Sequence, residues 1–163
     1  MIPWWRKPSE EVAPPLTEER LKALLGSADP QVQVEHTEAG TVFLLHLGGH
    51  DYDIVLGPQG RLAMVRSVLG EEGFTTIPEG REFLRRQAVE HQWPLIGIRK
   101  APQIGPDAEV LELQCWQVAT GGMSDTQFYM LVNDWISQVG RVRDAFVDLL
   151  RSNARAAARR EGE

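Results

Sequence analysis

The sequence predicts an α+β fold, an antiparallel β-sheet flanked by three helices in the order α-β-β-β-(β)-α-β-β-α. Three observations carry this expectation. Apolar residues alternate with period two through residues 31–69, as in half-buried strands. Two further apolar runs, residues 95–99 and 110–118, flank a loop containing Pro102, Gly105 and Pro106 and should pair antiparallel. Finally, large apolar residues recur at spacings of three and four from Phe128 to Leu150.

Taken in chain order, residues 1–16 carry Pro3, Pro8, Pro14 and Pro15, which remove backbone donors and stop a helix from propagating, so a flexible N-terminal lead is expected there. Thr17 can cap a first helix whose stripe is Leu21, Leu24 and Leu25. Glu18 and Glu19 complement the positive end of its dipole, and Gly26 with Asp29-Pro30 should end it, glycine taking a left-handed cap. Strands centred on Val32 and Val34, on Phe43, Leu45 and Leu47, and on Tyr52, Ile54 and Leu56 follow as a meander. Their turns are Glu38-Ala39-Gly40, Gly48-Gly49 and Gly57-Pro58-Gln59-Gly60. Residues 61–69 also alternate and make a fourth strand. Proline in the first turn at Pro78, then Phe83, Leu84, Ala88 and His91, mark a second helix that stops at Trp93-Pro94. Ser124-Asp125-Thr126-Gln127 is a capping box for the last helix. Beyond Leu150 the large apolar residues cease, so residues 17–152 are expected to form a single domain and residues 153–163 a frayed basic tail.

Composition narrows the function classes. A chain of 163 residues suits one domain able to bury roughly two-thirds of its unfolded surface. Seventeen Lys and Arg against 23 Asp and Glu give a net charge of −6, which argues against a protein dedicated to coating phosphate backbones. The single Cys115 has no partner for an internal disulfide and fits a reducing cytoplasm. No stretch is long enough to span a bilayer, and no apolar run of signal-peptide length follows Trp4 and Trp5.

The side chains that carry chemistry point away from catalysis. His46, His50, Asp51 and Asp53 gather at one hairpin end, but His50 and Asp51 alternate to opposite faces of a strand, and no metal or other cofactor is expected. Cys115 sits in an alternating strand with no visible base to activate it, as a small buried hydrophobe does. Gly121-Gly122-Met123-Ser124 precedes a helix, yet Ser124 and Gln127 can satisfy the free amides themselves. Phosphate-binding loops, dinucleotide fingerprints, zincin motifs and nucleophile elbows are absent. Trp4 and Trp5 can anchor a partner or a second copy of the chain, or fold back on their own domain. Arg151, Arg155, Arg159 and Arg160 against Glu161 and Glu163 leave +2 on residues 151–163 and −8 on the rest. That tail can touch nucleic acid or simply complement the helix dipole.

The element order, the closing strand Val110-Leu111-Glu112-Leu113-Gln114, the turn Gly121-Gly122-Met123-Ser124 and the helix bearing Leu131, Trp135 and Phe146 together resemble the YbjN-like family, whose fold is shared with type III secretion chaperones. The likeness spans residues 17–150. It implies a homodimer that acts through protein binding, in a group linked to bacterial stress responses including DNA damage. The expectation is therefore a non-enzymatic, cytoplasmic, secretion-chaperone-like adaptor. Its client would add to a strand edge or lie on the sheet, through Phe43, Leu45, Trp93, Ile96, Ile98 and Trp116, with Trp4 and Trp5 as a second anchor. The alternative is nucleic-acid association, through Arg151, Arg155, Arg159 and Arg160 or through a repair or single-stranded-DNA-binding partner.

Overall fold

The computed structural model describes residues 13–69, 78–91, 93–102 and 104–161, with the backbone alone for residues 59, 63–69 and 161. Thr17 opens the first helix, α1 (Glu18–Gly26), by accepting a hydrogen bond from the Arg20 amide at 3.3 Å. Its stripe of Leu21, Leu24 and Leu25 is buried. The expected left-handed glycine cap does not form. Ser27 keeps right-handed angles (φ −74°, ψ −27°), and the amides of Ala28 and Asp29 both reach the Leu25 carbonyl, so the helix closes by tightening its last turn.

The alternating stretch becomes β1 (Gln33–Thr37), β2 (Gly40–Leu47), β3 (His50–Leu56) and, after a 3-10 turn at Pro58–Gly60, β4 (Arg61–Leu69). Gly40, Gly48, Gly49 and Gly60 take positive φ at the turns. Gly40 has no substitute, because a Cβ there would collide with the Leu56 carbonyl. After α2 (Pro78–Glu90) and a cis Trp93-Pro94 bond come β5 (Leu95–Lys100) and β6 (Glu109–Val118). All six strands join one antiparallel sheet in the order β1-β2-β3-β4-β6-β5, leaving β1 and β5 as its edges.

Pairings such as Phe43 with Ile54 and Ile96 with Leu113 align the apolar sets on one face. Phe43, Leu45, Tyr52, Ile54, Leu62, Leu113 and Cys115 bury there against the α1 leucines and Phe128, Val132, Trp135, Val139 and Val142 of the last helix, α3 (Asp125–Glu161). A smaller cluster of Leu111 and Phe146, joined by Phe83 and Leu84, seats α2 on the same face. Among the described residues no helix covers the opposite face, which presents Val42, Leu44, Asp53, Gln114 and Trp116.

Two expectations at the chain ends change. Residues 13–16 belong to the folded body and not to a flexible lead. Leu16 enters the core, the Met123 amide donates to the Pro14 carbonyl at 3.0 Å, and Arg20 donates to the carbonyls of Pro14 (2.7 Å), Pro15 (3.1 Å) and Met123 (2.7 Å) and to the Asp125 carboxylate. At the other end, residues 153–161 continue α3 instead of fraying. Once a helix is nucleated each added residue brings a hydrogen bond, and alanine and arginine are among the best helix formers.

Candidate functional site

Packing divides the partner-binding candidates. Phe43 (0% exposed) and Leu45 (2%) lie under α1 and α3, where no partner reaches them without opening the domain, so they are core. Strand alternation alone cannot say which face the helices take, and these two fall on the covered one. Trp4 and Trp5 lie outside the described residues.

The remaining four converge on β5. Trp93 meets Trp116 edge to face, with centroids 5.6 Å apart and planes at 89°. The Arg61 guanidinium lies 5.5 Å from the centre of the Trp116 ring, on the open face of the sheet. Ile96 and Ile98 point to the helical side, where α2 covers them only in part, and Ile98 remains 42% exposed. Between α2 and β5 runs a groove of about 580 Å³ lined by Leu84, Gln87, Ala88, His91, Pro94, Leu95, Ile96 and Ile98. Arg141 sets its back wall by donating from α3 to the Gln87 side chain (3.3 Å) and to the Trp93 carbonyl (3.2 Å).

Among the described residues the groove borders a sheet edge that carries little protecting charge. Edge strands ordinarily carry charges that discourage a further strand from pairing. In β5 the charges stand at one end and face β6: Arg99 donates to Glu112 at 3.0 Å, and Lys100 to the buried Glu109 at 3.0 Å. The preceding Leu95-Ile96-Gly97-Ile98 has none. An extended segment laid along β5 would gain main-chain hydrogen bonds and place alternate side chains into the groove and onto the open face.

Other candidates resolve more simply. His46 Nδ1 and Asp51 Oδ1 pair at 2.7 Å on the exposed hairpin. Among the described residues no three His, Cys, Asp or Glu side chains converge on a metal position. Cys115 is buried, and burial, with Asp134 as a lesser influence, pushes its thiol up to about 12. At the α3 start Gly122 donates to Ala119, Met123 to Pro14 and Ser124 to the Gln127 side chain at 2.9 Å, so those amides are taken. Gln127 in turn donates to the Ser124 hydroxyl at 3.2 Å, completing the capping box.

Sequence reasoning read Asp29 as part of a helix stop and missed the role of its carboxylate, which accepts from the amides of Gln31 (2.9 Å) and His46 (2.8 Å), tying the exit of α1 to β2. Those two bonds, from His46 and then Gln31, hold its carboxyl below the ordinary 3.8. It also missed Arg20 and the α2 wall of the groove. The Asp-Pro pair gave a signal for Asp29, but Arg20 looks like any solvated helix residue until residues 13–16 fold over it.

These features define the class: an α+β protein with one antiparallel sheet, helices on one face and an apolar edge. No protein-family description matches the sequence, and no curated protein matches it. Among solved structures, YbjN from E. coli, described as a candidate transcription regulator, superposes with a TM-score of 0.55 at 14% identity, covering 86% of this chain and 94% of that one. The fold is therefore YbjN-like, as the sequence resemblance implies, and at that identity the likeness shows the fold alone.

Proposed function

We propose that the chain is a non-enzymatic binding module that captures an extended segment of a client protein along β5, in the manner of a secretion chaperone. The observation that supports it is the coincidence of an uncharged edge, Leu95 to Ile98, with the groove under α2. The client we expect is a protein segment with apolar residues at alternate positions, two of them seated against Ile96, Ile98 and Leu84. Through the family resemblance the proposal extends to a cytoplasmic homodimer serving a stress or DNA-damage response. Exposed Trp116 and Val118 on the open face offer apolar area to a second copy.

The test is selection from a library of extended peptides, followed by amide exchange on the complex. A true client protects the β5 amides and loses at least about tenfold in affinity, or 1.4 kcal/mol, on Ile98→Lys. A ligand that protects β1 or the open face, and leaves β5 unchanged, would overturn the assignment. Sedimentation of the full chain tests the dimer separately: a monomer at all concentrations removes that part of the proposal and leaves the edge intact.

A further inference from the structure

The C-terminal turns of α3 carry an inference independent of the β5 edge. The last apolar contacts of this helix are Leu149 and Leu150 with the Phe146 cluster. From Arg151 to Arg160 every residue but Asn153 is exposed, yet the helix persists to Glu161. A helix of eleven residues past the last core contact projects about 16 Å. Helical continuity also arrays Arg151, Arg155 and Arg159 at four-residue spacing along one side, with Arg160 turned about 100° away from Arg159. Arg151 has Asp148 at 3.9 Å, whereas Arg155 has no acidic residue three or four positions away on either side.

We propose that this arm is a contact for the phosphate backbone of duplex nucleic acid. The rest of the chain carries −8 and repels such a polyanion, which would defeat basic residues set flush with the body. The arm is longer than the Debye length of about 8 Å at physiological ionic strength, so its outer arginines are largely screened from that charge. Guanidinium groups on one side of a helix with Ala154 and Ala158 between them leave no steric bar to close approach to a groove. Contact is with phosphates only, so it is weak and indifferent to base sequence.

The experiment is fluorescence anisotropy of a labelled duplex with the full chain at several salt concentrations. Binding at low salt, with log affinity falling against log salt at a slope of about −3, is expected for three or four neutralised phosphates. Arg155→Gln with Arg159→Gln and Arg160→Gln should weaken binding at least about tenfold and flatten that slope, with helix content by circular dichroism unchanged because glutamine is a comparable helix former. Lysine at the same three positions should retain most of the binding. The proposal is overturned if no binding occurs at about 100 μM protein in low salt, or if the glutamine variant binds as well as the parent. It is equally overturned if polyglutamate competes as well as a second duplex, which would assign the arm to an acidic protein.

Discussion

The two edges of the sheet are built to opposite specifications. At the β1 edge, Gln33, Glu35, His36 and Thr37 face solvent, and His36 pairs with Glu18 of α1 at 3.0 Å, a bond that leads the lowering of the Glu18 carboxyl. Charge along the strand discourages another chain from pairing there. At the β5 edge the exposed residues include Leu95 and Ile98, and the charged side chains are turned toward β6. The supporting helices differ in the same sense. Nine-residue α1 buries three leucines, whereas thirteen-residue α2 buries only Gly80 and Gln87. One flank is closed by buried leucines, and the other leaves apolar side chains exposed.

The sharpest way to break this contrast is to compare equivalent deletions on the two flanks. Phe43→Ala removes a fully buried ring between α1 and α3 and should cost about 3–5 kcal/mol in urea unfolding, enough to threaten a domain of ordinary stability. A loss below about 1 kcal/mol would show that the β1 flank is as loosely packed as the other, and the division of labour would fail.

A second, smaller effect sharpens the same flank through its pH dependence. Asp29→Asn should lower the urea midpoint at neutral pH, because a neutral amide oxygen is a weaker acceptor for the His46 and Gln31 amides. The folded state holds this carboxyl below its ordinary 3.8, so its contribution is fully present above that value and is lost as pH falls through the lower folded-state value. Unfolding midpoints of parent and variant should thus differ at pH 6 and converge in strong acid. A gap that persists unchanged in acid would mean that Asp29 acts by shape and not by charge.

Much of this architecture was legible because local signals agreed with the global fold. The period-two run gave four strands, which pair in succession as an antiparallel meander, and the capping box and Thr17 gave the starts of α3 and α1, each with its own capping hydrogen bonds. The candidate site was half legible. Trp93, Ile96, Ile98 and Trp116 do meet around one strand, but Phe43 and Leu45 carry the same alternation and lie in the core. Alternation marks two faces without saying which one the helices take, and that choice depends on packing between residues far apart in the chain. The arginines of the tail were legible, but their helical array was not, for a different reason. The large apolar residues that would pack a helix stop at Leu150, which argues for fraying, while continuity with a nucleated helix and good helix formers reverse the balance.

The finest test compares the flanks at their least protected point. Ile98→Ala removes a side chain of which nearly half is already in solvent, so its stability cost should be about 1 kcal/mol. Client affinity should fall by a larger amount, because on binding the same side chain becomes fully desolvated and its loss leaves a gap in the filled groove. Stability and affinity thus separate at Ile98 in a way they cannot at Phe43, where any effect on binding follows from unfolding. Measuring both quantities for both variants places each residue on one side of that line. If the two losses at Ile98 are equal, the groove is an imperfection of packing, and β5 has no claim to be the edge that recruits a partner.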